Sequence, residues 1–281
     1  MTASTIFGLV LAGGRSSRMH RDKASLVYHG RSQLERTMEL LEPFCSERFV
    51  SVRVDQKNDP LRARYAQIVD RDSDLGPLAG ILAAQAHTPT VAWLVVACDL
   101  PRLDAETLKQ LLEQRDRNRL ATAFKSSSDG LPEPLCAIYE PASAPALAAY
   151  AAGGGRCPRK FLLNHDVALF DLASGHALDN VNSGAEYWQT MDQLAPDRSR
   201  QQRAVRVQYF AILREQSGRR EEQIDTSARN PGELYDELRA RYAFTLDRSS
   251  LRVAVNEEFG SWEQPLISDD SVVFIPPVAG G

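Results

Sequence analysis

The chain has 281 residues, 43% of them apolar and 25% charged, with a net charge of -4; this is the make-up of a soluble globular protein longer than one average domain. That acidic balance argues against non-specific binding to nucleic acid or to anionic membranes, so any basic site has to be local. No apolar run approaches the roughly 18 residues of a bilayer-spanning helix, residues 1–14 lack the basic region of a signal peptide, and four scattered cysteines without a CxxC pair offer neither a zinc site nor a disulfide framework; the expected setting is the cytoplasm.

From residue 5 onward, strand-like and helix-like segments alternate. "TIFGLVL" reads as a strand, "QLERTMELLEPF" as a helix, "RFVSVRV" as a strand, "LAGILAAQAH" as a helix, "VAWLVVAC" as a strand and "DAETLKQLLEQRD" as a helix. The run from Val91 to Cys98 is apolar at every position, as a central parallel strand covered on both faces must be. The predicted class is an α/β doubly wound, mostly parallel sheet, with its ligand at the carboxyl ends of the strands. The pattern breaks at "DQLAPDRSRQQRA", so residues 193–203 read as a linker between a domain of residues 1–192 and one of 204–281. In the second domain "VRVQYFAILREQSG" and "REEQIDTS" predict two strands around a turn. "NPGELYDELRARY" follows as a helix with Asn230 as N-cap and Pro231 at its first position. "LRVAVNEEFG" and "DSVVFIPPV" predict two more strands, giving a small ββαββ unit.

The first strand runs into "LAGGRSSRMHRDKASL". Gly13 and Gly14 let the backbone turn and bring its N–H groups close to a ligand. With Arg15, Arg18 and Lys23 behind them, the stretch suits a polyphosphate. It is neither GxGxxG nor GxxxxGK[ST], and a solvated basic loop after a tight turn would read the same way. A second element is "VVACDLP", where a buried strand ends in Asp99. A carboxylate there can hold Mg²⁺ together with substrate phosphates; a turn-forming or capping aspartate is the alternative. Cys98 is expected in the core, since a thiolate is too soft for Mg²⁺.

"LAGGRSSRMHRDKASL", "DSDLGPLAGI" and "VVACDLP", in this order, resemble the three main motifs of the molybdenum cofactor guanylyltransferases, over roughly residues 5–190. That resemblance implies GTP as substrate, the molybdopterin cofactor as acceptor and Mg²⁺ as metal. It implies that Leu11, Ala12, Gly13 and Gly14 contact the nucleotide, that Asp70 and Gly76 serve the guanosine part, and that Lys23, Arg15 and Asp99 act on the phosphates, with Asp99 on the metal. The phosphate nucleophile is already ionised at neutral pH, so no strong general base is required. Two features depart from the family. His20 stands where the family has glycine, which is unfavourable if the position needs a positive φ; a catalytically degenerate transferase is therefore one alternative, and a CTP-using enzyme another. Asn180 and Asn182, in "NVNSGAEY", fall on a segment the family uses near the pterin, but Ser183 and Gly184 replace its threonine-proline and helix capping fits the segment equally. Arg156, Arg159 and Lys160 offer further phosphate ligands or a solvated helix face.

The chain ends in "FIPPVAGG". Two glycines after a predicted last strand make a thin end that can enter a narrow channel. With "VQYFAILREQSG" and "VAVNEEF", this ending resembles the small, sulfur-carrying subunit of molybdopterin synthase over roughly residues 204–281. The resemblance implies an α+β ubiquitin-like β-grasp domain whose Gly280–Gly281 tail is adenylated by an activating enzyme and converted to a thiocarboxylate at Gly281. Its implied partner is the large subunit of the synthase, and its role that of a carrier rather than a catalyst. Phe274 reads as a core strand residue or part of a docking face.

Overall fold

The computed structural model describes residues 5–14, 19–70, 73–173 and 175–277, so Arg15 and the Gly280–Gly281 pair lie outside the described residues. The chain divides into two compact units, residues 1–15 with 23–180 and residues 16–22 with 181–281.

In the first unit β1 (Ile6–Leu11), α1 (Gln33–Leu40), β2 (Glu47–Arg53), β3 (Gln67–Asp70), α2 (Pro77–His87), β4 (Ala92–Ala97) and α3 (Ala105–Glu113) follow in chain order. Then come β5 (Ala121–Lys125), β6 (Pro132–Tyr139), α4 (Ser143–Ala152), α5 (Pro158–Leu163) and β7 (Val167–Asp171). The strands form one sheet in the order β3-β2-β1-β4-β6-β5-β7, in which β6 alone runs against the rest. β4 is buried at every position. Successive residues of β1 and β4 feed two separate cores, Val10, Leu94 and Val96 on one face and Leu9, Trp93 and Val95 on the other. Cys98 joins the first of these cores. Helix starts are set by local chemistry. Ser32 and Glu35 close a capping box on α1, and the Asp104 carboxylate accepts the Thr107 N–H at 2.8 Å to open α3.

The order of the sheet locates the ligand edge. From β1 the chain moves outward to β2 and β3, then returns to the other side of β1 as β4. The carboxyl ends of β1 and β4 therefore flank the point where the winding reverses, the usual ligand crevice of such sheets.

The second unit holds α6 (Gly184–Leu194), α7 (Pro196–Ser199), β8 (Arg203–Tyr209), α8 (Ala211–Ser217), β9 (Glu221–Thr226) and α9 (Pro231–Tyr242). β10 (Arg252–Val255), β11 (Glu258–Phe259) and β12 (Ser271–Ile275) complete it. The strand order is β11-β10-β12-β8-β9, with β8 and β12 parallel and the other neighbours antiparallel. α9 is capped by Asn230, whose Oδ1 accepts the Glu233 N–H at 2.8 Å, and opens on Pro231. It packs Leu234, Tyr235 and Leu238 with Val205, Val207 and Phe274 of the sheet, the expected β-grasp arrangement. Phe274 is wholly buried and so belongs to the core. Arg21, grouped with this unit, donates from Nε to the Pro265 carbonyl at 2.7 Å and pairs with Asp270.

Residues 193–203, read from sequence as a linker, hold the end of α6, all of α7 and the first residue of β8. Arg203 is buried there, donating to the Ser227 and Ala228 carbonyls at 2.8 and 2.7 Å, with its guanidinium 4.3 Å from the centre of the Trp188 ring. Charged side chains make this packing, so its composition imitates a solvated linker. The turn expected after β8 also contains more than a turn, since α8 occupies it.

Candidate active site

Past β1 the chain crosses the sheet edge at Ala12 and Gly13. The Ala12 N–H reaches the Ser51 carbonyl at 3.3 Å, extending the pairing of β1 with β2. A Cβ on Gly13 would sit 3.3 Å from Asp70 Oδ2 and 3.5 Å from the Arg53 backbone nitrogen, so glycine alone fits this approach without crowding. Asp70 ends β3, is 9% exposed, and accepts the Ser51 hydroxyl at 2.8 Å. Burial pushes its carboxyl up to about 6, against the opposing pull of that hydrogen bond and of Arg53. Leu11, Ala12, Gly13 and Asp70 thus stand together at the strand ends. Among the described residues no atom lies within 4 Å of a Cβ added at Gly14.

On the other flank the Cys98 N–H reaches the Leu11 carbonyl at 3.2 Å and carries β4 to the same edge. Asp99 follows. Its Oδ2 lies 3.0 Å from Lys23 Nζ, while its Oδ1 is buried without a hydrogen-bond partner among the described residues. An unpartnered buried oxygen costs about 1–3 kcal/mol, a cost removed when a cation or a donor reaches it. Among the described residues no group of three or more His, Cys, Asp and Glu side chains forms a cage. A divalent ion here would draw one protein carboxylate and take its other ligands from phosphates and water, which is how Mg²⁺ is usually held. Asp99 fits that ion. The loop after Asp99 is fixed from behind: His29 Nε2 donates to the Pro101 carbonyl at 3.0 Å and Arg36 Nη2 to the Leu103 carbonyl at 2.5 Å. Burial holds the His29 imidazole below its ordinary range, which suits a neutral ring with its proton on Nε2.

Gly76 caps α2 with a φ of 55°, a conformation that favours glycine, and Pro77 fills the first helical position. α2 then lies against β1 and β2 so closely that a Cβ on Gly80 would meet Ser51 Oγ at 2.4 Å and Leu11 Cδ2 at 2.7 Å.

The position of His20 does require a positive φ, and histidine adopts it at 48°. Asn180 is exposed. The Asn182 backbone N–H donates to Glu186 Oε2 at 2.7 Å, and Ser183 Oγ caps α6, so this segment serves as a helix start. Arg159 is paired with Asp129 and Glu133, each at 3.1 Å. Sequence reasoning missed Ser51, Arg53 and Arg62, which hold Asp70 and the glycine turn in place. For Arg62 a faint signal existed: Asp59, three residues earlier, accepts both its backbone and its side-chain N–H.

A family model described as a MobA-like NTP transferase domain matches residues 8–168, and one described as the ThiS family matches residues 207–281. A molybdenum cofactor biosynthesis bifunctional protein of Synechocystis is 32% identical over 189 residues, 67% of this chain and 54% of that protein; the chain thus spans about half of that relative's length. A molybdenum cofactor guanylyltransferase of Xanthomonas euvesicatoria is 42% identical over 106 residues, 37% of this chain and 52% of that protein. The crystal structure of molybdopterin-guanine dinucleotide biosynthesis protein A from Archaeoglobus fulgidus superposes with a TM-score of 0.57 at 25% identity, covering 68% of this chain and 99% of that one.

Proposed function

The chain belongs to the MobA-like NTP transferase domain family, and on that premise we propose that its first unit transfers GMP from GTP to a phosphorylated molybdopterin cofactor, releasing pyrophosphate. The observation that carries the reading is the Lys23–Asp99 pair with its unpartnered Asp99 oxygen, at the point where the sheet winding reverses. The acceptor phosphate attacks the α-phosphorus, and negative charge builds on the bridging and non-bridging oxygens. The N–H groups of the glycine turn and the Lys23 ammonium are donors fixed in advance for that charge. Asp70 offers a buried acceptor for N–H or O–H donors of the guanosine part. A Mg²⁺ held by Asp99 would neutralise the leaving pyrophosphate. Arg15 joins the phosphate contacts in this reading, and Asn180 and Asn182 remain candidates for the pterin.

The ThiS-like segment adds a carrier function to the proposal. Gly281 would be adenylated by an activating enzyme and converted to a thiocarboxylate, and the large subunit of molybdopterin synthase would receive its sulfur.

The test is pyrophosphate release by the full chain with Mg²⁺, purified pterin cofactor and GTP, CTP or ATP in parallel, with Asp99→Ala as control. Release should be selective for GTP and fall about 100-fold or more in the variant, as for loss of one charge-stabilising group. CTP selectivity would keep the mechanism and change the product. No release from folded protein would leave the carrier function alone. His20 does not by itself predict that outcome, because the histidine takes the positive φ of 48° that glycine would favour.

A further inference from the structure

Two arginines grip consecutive carbonyls of the glycine turn. Arg62, 1% exposed, donates from Nε and Nη2 to the Ala12 carbonyl at 3.1 and 2.8 Å. Arg53 donates from Nη1 to the Gly13 carbonyl. Each guanidinium also has its own carboxylate: Arg62 Nη1 meets Asp59 at 3.1 Å, and Arg53 holds Asp55 through Nε and Nη2 at 2.9 and 2.7 Å. The charges are therefore balanced locally, and what each arginine adds to the turn is direction rather than potential.

In a planar trans peptide the C=O and the following N–H point in opposite directions. The peptide that carries the Ala12 oxygen supplies the Gly13 N–H, and the one that carries the Gly13 oxygen supplies the Gly14 N–H. Fixing both oxygens against the protein turns both N–H groups the other way. Among the described residues neither N–H donates to a backbone acceptor. Glycines would otherwise let these peptides rotate, since no Cβ restrains them. We propose that Arg62 and Arg53 are positioning residues, which lock the two peptides so that the Gly13 and Gly14 N–H groups face the nucleotide triphosphate. This rests on the nucleotide reading above and extends it to two side chains that do not touch the substrate. The class of ligand selected is one with several phosphates, because a row of aligned N–H donors rewards charge spread over neighbouring oxygens.

The experiment uses the full chain labelled with ¹⁵N-glycine, whose 17 glycines give a simple amide spectrum. GTP and guanosine monophosphate are titrated by calorimetry and by amide shifts into the unsubstituted protein, Arg62→Lys and Arg53→Met. Lysine keeps the charge but cannot send two donors to one oxygen. GTP affinity should fall about 10- to 100-fold in both variants, the usual worth of a hydrogen bond to a charged group, with a much smaller fall for the monophosphate. The Gly13 and Gly14 resonances should move with GTP in the parent protein and lose that response in the variants. If the buried Arg62→Lys change lowers the melting temperature sharply, Arg53→Met, at a more accessible side chain, gives the same comparison. Absence of GTP binding by the parent protein would overturn the nucleotide reading and the clamp with it. Normal binding by the parent with unchanged variants, or an equal loss for GTP and monophosphate, would overturn the clamp alone.

Discussion

A carboxyl group buried beside a glycine turn, with one hydroxyl as donor, serves binding better than stability. The Asp70 carboxyl moves from an ordinary 3.8 to about 6 because burial opposes its charge. The folded pKa lies above the unfolded one, so the folded state binds the proton more tightly. The resulting stability is present in full below pH 3.8 and is lost as pH rises through 6. Above that range the ionised group costs on the order of 2–3 kcal/mol at about 1.4 kcal/mol per pKa unit. Asp70→Asn should therefore raise the unfolding free energy by roughly that amount at pH 7.5 and by little at pH 4, read by urea titration. The same variant should bind GTP more weakly. In the parent protein GTP affinity should fall below pH 6, by at most about tenfold per pH unit; a flat profile would remove Asp70 from the guanosine site. His20 makes the converse case. A left-handed conformation costs a non-glycine residue about 1–2 kcal/mol, part of which glycine gives back through its own chain entropy. His20→Gly should raise stability by about 0.5–1 kcal/mol and leave pyrophosphate release essentially unchanged. Loss of release would make the imidazole itself part of the chemistry.

At the scale of elements, α2 is held by the absence of a side chain. Gly80 places the helix backbone directly on Ser51 and Leu11, and both residues border the site, one through Asp70 and one through the end of β1. Gly80→Val would push α2 away from the sheet. The expected cost is about 1–3 kcal/mol, as for other overpacked cores, with GTP binding weakened alongside; unchanged stability would mean that the helix moves freely. Elements with strong periodicity were legible in the sequence. β1, α1, β2, α2, β4 and α3 fall on the segments whose apolar spacing announced them. α8 was not legible. "YFAILREQ" carries an unbroken strand-like apolar run, yet Phe210 and Ile212 are exposed, at 51% and 37%, and only Leu213 of the helix is buried. The clamp itself was equally silent, although the Asp59–Arg62 spacing hinted at a local pair. A guanidinium that serves a distant carbonyl leaves no spacing rule, because its partners at Ala12 and Gly13 lie 50 and 40 residues away.

Across the whole molecule, two motif sets were legible because in each a pair of glycines follows a strand predicted from the sequence. Within the second unit, the packing of Arg203 over the Trp188 ring was not legible, because a charged side chain leaves no apolar pattern. The two units also differ in what their glycines do. In the first, Gly13 allows a close backbone approach within a fixed site; in the second, the proposed chemistry sits on the terminal carboxylate of Gly281, beyond the last strand β12. If the activities are chemically separate, deletion of Gly280 and Gly281 should leave GTP-dependent pyrophosphate release intact. It should also abolish the mass change of one sulfur-for-oxygen exchange when the chain is incubated with an adenylating enzyme, ATP, a persulfide donor and a dithiol that reduces the acyl disulfide to the thiocarboxylate. Asp99→Ala should do the reverse, silencing release while the terminus still gains sulfur. Intact mass and pyrophosphate measured on the same samples would decide the matter. A tail deletion that also stops nucleotide transfer would mean that the terminus takes part in the transferase cycle.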